Sequence, residues 1–303
     1  MNERTMNFMR NSLERLLPLT SHGINPRGGD SELYGPPEPP AIPGRPDSMA
    51  RELKVMSFNV LTSTGGEHAL RRRYGGVVQT ILNELPDSLG LQEAHELWRI
   101  PLVKDLGNTY GVACNTGRVF GLHEGTPIFY RKDKYELVKE GVFWLSERPE
   151  IASIGWDAAC PRIAGWAVLQ EKNSGFTYAH FNTHLDHKGE AAMANGARLM
   201  ADRMGALGLP AVLTGDLNCE PDSLPMEYLM TGGLTDLRFA AVDSDEGLTF
   251  HGYREDGSGS VIDYVYANHY MRSCAKFKVI RDVYDGMYPS DHFAVCARMT
   301  LAN

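Results

Sequence analysis

Hydrophobic positions are distributed very differently before and after residue 50. In the first stretch they form one loose helical face, with Phe8, Met9, Leu13, Leu16 and Leu17 between Met6 and Leu19, which predicts a single short amphipathic helix. Gly28-Gly29 and a proline-rich run from Pro36 to Pro46 follow, a composition that reads as linker or polyproline. Residues 1–50 are therefore expected to be an extension, and residues 51–303 the folded domain.

From Leu53 onward, short apolar runs alternate with helical spacing. Leu53 to Val60, Leu89 to Ala94, Thr126 to Arg131, Trp166 to Glu171, Thr177 to Leu185, Ala211 to Leu213, Val261 to Tyr266 and Ser290 to Cys296 have the length and β-branched or aromatic content of strands. Leu70, Tyr74, Val77 or Val78, Ile81 and Leu85 step at helical intervals before Pro86, as do Met193, Ala197, Met200, Met204 and Leu207. Some strands are joined through helices and others directly, which predicts a mixed-sheet α/β domain. Long connections at 111–125, 145–163 and 243–260 are of the size that usually binds something or moves. No internal repeat is evident.

Composition narrows the picture only a little. A chain of 303 residues with 43% hydrophobic and 22% charged residues is long enough to bury a sizeable core. The formal net charge of −8 argues against a broad basic surface that grips long nucleic acid by counterion release. It leaves room for a local basic pocket or a bound cation. Five cysteines are scattered without zinc-type pairing, which reads as reduced thiols. No run reaches the ~20 apolar residues of a membrane span, and Met1 to Thr20 lacks a continuous apolar region. Neither a membrane span nor a secretory signal is expected, so the expected location is the cytoplasm.

The chemistry sits at the ends of the apolar runs. Asn59, Glu93, His184, Asp216 with Asn218, Asp263, and Asp291 with His292 each end or enter one of them. Asp186 follows His184 by two residues. Each alone has a plain structural reading: a turn cap, a solvated carboxylate, or a satisfied core histidine. Recurrence over six runs is harder to dismiss, since buried polar groups need partners. Oxygen donors with two histidines and no cysteine suit Mg²⁺ or Mn²⁺ better than structural zinc.

Ser57-Phe-Asn59, Leu91-Gln-Glu93, Asn182-Thr-His-Leu185, Gly215-Asp-Leu-Asn218, Ile262-Asp-Tyr264 and Ser290-Asp-His292 resemble, in order and spacing, the motifs of the endonuclease/exonuclease/phosphatase (DNase I-like) superfamily. The resemblance runs from about Leu53 to the C-terminus. It implies a four-layer α/β/β/α sandwich of two packed mixed sheets, a metal-dependent phosphoesterase, and a site where strand ends of both sheets meet. Carried over by motif, Glu93 would bind Mg²⁺ or Mn²⁺, with Asn59 beside it and Asp291 at the metal or just behind. Asp216 would orient and deprotonate the attacking water, and Asn218 would hold that water or a phosphate oxygen. His292, held by Asp263, would bind or protonate a phosphoryl oxygen. His184 matches the histidine of the DNase-like, sphingomyelinase-like and deadenylase-like branches rather than the tyrosine of the apurinic-site enzymes. Leu61 stands where that last branch has an acidic residue, which tells against a second metal ligand there.

Outside these motifs, Gly117 to Gly125, Trp144 to Glu147 and Gly155 to Arg162 resemble a bacterial hydrolase branch of the superfamily, nearer to the deadenylase-like enzymes than to the repair enzymes. Arg118, Glu124, Trp156 and Arg162, together with Asp186, are the candidate substrate-binding residues. Arginine clamps phosphate bidentately and tryptophan stacks on a base or sugar face. The bland alternative has Trp156 plugging the core and the arginines pairing with surface acids. The reading that results is hydrolysis of a small or short phosphoester, such as a nucleotide, a short oligonucleotide or a phosphorylated sugar, with no protein partner expected. A nuclease on longer RNA or DNA, a sphingomyelinase-like lipid hydrolase and a catalytically inactive binding protein are the alternatives.

Overall fold

Two sheets carry the architecture of the computed structural model, which describes residues 50–114 and 125–302. The helix and proline-rich stretch expected near the N-terminus, and the candidates Arg118 and Glu124, lie outside the described residues. In chain order the elements are β1 (Ala50–Asn59), α1 (Leu70–Glu84), β2 (Ser88–Gln92), α2 (Glu96–Leu106), β3 (Tyr110–Ala113), β4 (Ile128–Arg131), β5 (Tyr135–Trp144), β6 (Ile163–Glu171) and β7 (Thr177–His184). There follow α3 (Glu190–Ala206), β8 (Ala211–Asp216), α4 (Leu224–Thr231), β9 (Leu234–Asp236), α5 (Leu237–Ala240), β10 (Ala241–Ser244), β11 (Asp263–Asn268), β12 (Met271–Ile280) and β13 (Ala294–Ala302).

The first sheet has seven strands in the order β10-β12-β13-β1-β2-β4-β3, and the second has six in the order β5-β6-β7-β8-β11-β9. Both are mixed: β1 and β2, β10 and β12, and β7 and β8 run parallel, while the remaining pairs are antiparallel. Three apolar clusters separate the layers. Leu53, Val55, Ile128, Val212, Val265 and Val295 fill the space between the sheets. Met200 and Met204 of α3 pack on Trp166, Phe181 and Leu213 of the second sheet. Val77 and Ile81 of α1, with Trp98 and Leu102 of α2, pack on Phe58, Leu89 and Leu91 of the first. This is the expected four-layer α/β/β/α sandwich.

Between the sheets runs a seam of polar side chains. His180 Nδ1 lies 2.8 Å from Ser88 Oγ and its Nε2 2.8 Å from Thr214 Oγ1. Tyr178 donates to Ser88 (3.0 Å), and Asn182 Oδ1 accepts from Gln92 Nε2 (2.7 Å) and Thr214 Oγ1 (3.0 Å). Fully buried groups of this kind cost free energy unless paired, so each one fixes the sheet that carries its partner. Gly90 makes the close approach of the sheets possible. A Cβ there would lie 2.2 Å from Thr214 Oγ1 and 2.3 Å from Asn182 Oδ1. Gly90→Ala is therefore expected to destabilise the protein by roughly 2 kcal/mol or more, as overpacking does; an unchanged urea midpoint would contradict this.

Burial lowers the pKa of His180 from 6.5 to about 3, so the folded protein holds the ring neutral. The unfolded chain takes up this proton first as pH falls. Stability is therefore expected to decline below pH 6.5, until the pH reaches about 3, by at most about 1.4 kcal/mol per pH unit from this group. Urea unfolding at pH 7 and pH 5 tests this: the fall should be smaller in His180→Gln than in the parent, and equal slopes would refute it.

Candidate active site

Sheet topology brings the polar strand ends together. Parallel pairing places Asn59 at the end of β1 opposite Gln92 at the end of β2, and His184 at the end of β7 opposite Asp216 at the end of β8. Asp263 opens β11 directly across from Asp216, because β11 runs antiparallel to β8. β13 runs antiparallel to β1, so its approach segment, Asp291-His292, arrives beside the end of β1. Strand β11 starts at Asp263 rather than at Val261 as expected, because the Ile262 and Asp263 N–H groups both donate to Thr249 Oγ1 (3.0 Å each). Three residues that follow strand ends have left-handed backbone: Leu61 (φ 54°), Glu93 (φ 57°) and Asn218 (φ 50°). For non-glycine residues this conformation costs of the order of 1 kcal/mol and clusters at functional sites. Here it ends the extended backbone where the site begins, so Asn218 does not share an uninterrupted strand alternation with Asp216.

Asp216 is the hub. Its Oδ2 accepts from Asn59 Nδ2 at 2.9 Å and lies 3.3 Å from His184 Nε2 and 3.6 Å from His292 Nε2. Its Oδ1 accepts the Asn218 N–H at 3.0 Å. Burial pushes this carboxyl up, but the charges of His184 and His292 and the Asn59 amide outweigh burial and hold its pKa below the usual value. Behind His292, Asp263 Oδ2 meets Nδ1 at 2.9 Å. Burial raises Asp263, and its bond to His292 offsets this only in part. On His292 burial acts the other way, and Asp263 followed by Asp216 overcomes it, so the imidazole pKa rises. Both shifts retain a proton in the Asp263–His292 bond.

The acidic side lies across Asn59. Its Nδ2 also reaches Glu93 Oε1 at 3.2 Å, while its Oδ1 accepts the Leu61 N–H. Asn59 is thus fully buried and spends both ends of its amide on protein groups, so it positions Glu93 against Asp216 and does not face the cleft. Glu93 Oε2 accepts the Thr62 N–H at 2.7 Å. Asp291 has its pKa raised, first by burial and also by the charge of Glu93, against the lowering effect of His292. Arg73, only 1% exposed, lies close enough to feel both carboxylates. Its guanidinium donates to the carbonyls of Val60, Leu61, His68 and Pro289, clamping the turn after β1, to which Glu93 bonds, to the segment that carries Asp291.

A cleft of about 620 Å³ opens over these groups, lined by Thr62, Glu93, His184, Asp216, Asn218, Asp291 and His292, with Phe250 and Ile262 as an apolar wall and Cys160, Arg162 and His187 at one side. Phe250 packs against the His292 ring, 4.7 Å between centroids. A similar hollow of about 640 Å³ around Arg238, Phe239 and Glu246 holds no histidine and no such constellation. Arg162 is buried and faces the cleft, its Nη2 3.3 Å from His187 Nδ1 and its Nε 3.8 Å from Asp186 Oδ1. Asp186 does not line the cleft. Its carboxylate accepts the N–H groups of Ala159, Lys188 and Gly189, tying the 157–162 loop to the turn after β7. Trp156 packs on the apolar layer under α3, the bland alternative for that residue. Asp186 and Trp156 are therefore not brought to the substrate side.

Sequence reasoning missed Arg73, Phe250, His187 and the hydroxyl of Thr249. Arg71-Arg72-Arg73 reads as a solvated run, and only the helical phase shared with Val77 and Ile81 marks the third arginine as inward-facing. Phe250 and Thr249 lie in a long connection with no periodicity to place them.

Comparison with known proteins agrees with the fold. A family model described as Endonuclease/Exonuclease/phosphatase family matches residues 56–292. A solved endonuclease/exonuclease/phosphatase family protein of Bacteroides thetaiotaomicron is 28% identical, with a TM-score of 0.76 over 84% of this chain and 96% of that one. A mannosyl-6-phosphatase of Bacteroides thetaiotaomicron is 29% identical, with a TM-score of 0.73 over 82% of this chain and 99% of that one. Protein angel of Drosophila melanogaster is 26% identical across 85% of this chain and 83% of its own length. Among the described residues, no helix is long and apolar enough to cross a membrane.

Proposed function

Since the chain belongs to the endonuclease/exonuclease/phosphatase family and is a hydrolase of phosphoester bonds, we propose that it is a divalent-metal-dependent phosphoesterase acting on a small phosphorylated substrate, a sugar phosphate or nucleotide. The observation that carries the reading is the convergence of Asn59, His184 and His292 on one buried carboxylate oxygen of Asp216. The net charge of −8 and the likeness to a mannosyl-6-phosphatase support the small substrate.

The donor chemistry fits a hard cation. Glu93 and Asp291 are paired like charges bordering the cleft, and Mg²⁺ or Mn²⁺ prefers such oxygen donors. The histidine-containing group Asp216, Asp263 and His292 also gathers ligand atoms within 4.8 Å, but there the His292 Nδ1 is already engaged by Asp263 Oδ2 at 2.9 Å. When bound at Glu93 and Asp291, the ion supplies positive charge to the phosphoryl oxygens as negative charge builds on them. The chain's own residues do the rest. Asp216 accepts the proton of the water whose oxygen bonds to phosphorus, and Asn218 holds that water. His292, fixed by Asp263, donates a hydrogen bond to a phosphoryl oxygen while the ester oxygen departs in line and takes a proton from solvent, to which Asp216 gives up the one it accepted. Arg162 binds the substrate away from the reacting bond.

Phosphate release should be measured with Mg²⁺ or Mn²⁺ across sugar phosphates, nucleotides and oligonucleotides, with Asp216→Asn as the blank. Turnover confined to short substrates and weakly dependent on salt is expected; preference for long strands with a steep fall in salt would replace the proposal with a nuclease. Glu93→Gln is expected to raise the Mg²⁺ concentration needed for half-maximal activity by about tenfold or more. An unaltered metal titration would remove Glu93 from the metal. Arg162→Ala should raise KM more than it lowers kcat, and the reverse split would place Arg162 at the reacting bond.

A further inference from the structure

We propose that Cys160, Asp186 and His187 form a second metal site of different character at the side of the cleft, taking a soft or borderline divalent cation of the zinc class, and that occupancy there lowers activity by recruiting the partners of Arg162. One ligand atom from each residue lies within 4.8 Å of the other two. The donor set is thiolate, carboxylate and imidazole, the mixture that binds zinc with a fourth position open. It contrasts with the all-oxygen pair Glu93 and Asp291, so the two sites select different ions.

Each residue is set up for ligation. Cys160 is the one cysteine of the chain that is not buried, and its Sγ lies 3.6 Å from Asp186 Oδ1. The Asp186 carboxylate is held in place by three backbone N–H groups, from Ala159, Lys188 and Gly189, an outer shell that orients it before any ion arrives. His187 is exposed, and it lines the cleft together with Cys160, so an ion entering the cleft reaches both. Binding replaces the thiol proton, which passes to solvent, and no electron is transferred.

The link to activity follows from Arg162. It hydrogen-bonds His187 at 3.3 Å and pairs with Asp186 at 3.8 Å. A cation held by those two side chains repels the guanidinium and takes the lone pairs that fix it. This half rests on the proposed role of Arg162 in substrate binding; the existence of the site does not.

The test titrates the full-length protein with Co²⁺ in excess Mg²⁺ and reads the near-ultraviolet thiolate-to-cobalt charge-transfer band. The band is expected at about one Co²⁺ per chain and should be displaced by Zn²⁺. It should be lost in Cys160→Ser, and binding should weaken about tenfold or more in His187→Ala. Absence of the band in the parent protein, or its persistence in Cys160→Ser, overturns the site. Zn²⁺ inhibition is then measured relative to each protein's own zinc-free rate. A rise in apparent KM in the parent, relieved in both variants, supports the link to Arg162. A band without inhibition overturns that link, and the absorbance readout stands whatever substrate the enzyme takes.

Discussion

Asp216→Asn is expected to lower kcat by about a thousandfold or more while leaving the fold intact, a loss of about 4 kcal/mol of transition-state stabilisation. The substitution keeps the shape of the side chain and removes its charge and basicity. Asn59 Nδ2 donates to its Oδ2, and the His184 and His292 rings stand 3.3 and 3.6 Å from the same oxygen. An amide put there either turns its own N–H₂ toward these groups or loses the charge that faces the two rings. The depressed pKa of Asp216 means the parent carboxylate stays ionised well below neutral pH, so the lost activity should not return at any pH. Circular dichroism and a urea midpoint check the fold, and single-turnover kinetics check the rate. Activity within tenfold of the parent would exclude Asp216 as the base.

His292→Ala is expected to cost a comparable factor, and Asp263→Asn separates the two parts of that effect. Removing the imidazole deletes the proposed donor to the phosphoryl oxygen, worth about a hundredfold to a thousandfold in comparable electrostatic roles. Asp263→Asn keeps the ring and removes the carboxylate 2.9 Å behind it. The folded pKa of His292 is raised by Asp263 and Asp216, so its charge is present at neutral pH and lost as pH rises through the raised value. Without Asp263 the alkaline limb of the kcat profile should move to lower pH. A profile that keeps its alkaline limb would assign that limb to another group.

Most of the candidate site was legible because this fold places polar side chains at strand ends. A short apolar run followed by Asp, Glu or His is a local signal, and it marked Glu93, His184 and Asp216 without knowledge of the pairing. The arrangement of strands in two sheets came only from the family resemblance, since periodicity carries no information about which strands pair. Two ten-residue strands escaped notice. In β5 the pairing shifts register between Leu137 and Lys139, and in β12 it shifts twice, near Ser273 and Ala275. Each shift breaks the period-two alternation by which a half-buried strand is recognised. Helix α2 was hidden by Pro101 within Glu96–Leu106. Asp186 was misplaced because its three backbone partners are contributed by a loop and a turn whose course no sequence pattern specifies.

The polar seam between the sheets has a consequence for how this enzyme tolerates change. Glu93 and His292 adjoin the first sheet, and His184, Asp216 and Asp263 belong to the second. The proposed reacting groups therefore sit on two separate plates, and their alignment depends on how the plates are indexed. A hydrocarbon interface permits small slips at little cost, whereas Ser88, Gln92, His180, Asn182 and Thr214 mesh like teeth at one setting. In a deep mutational scan, these positions should score with the catalytic residues for activity, although none of them lines the cleft.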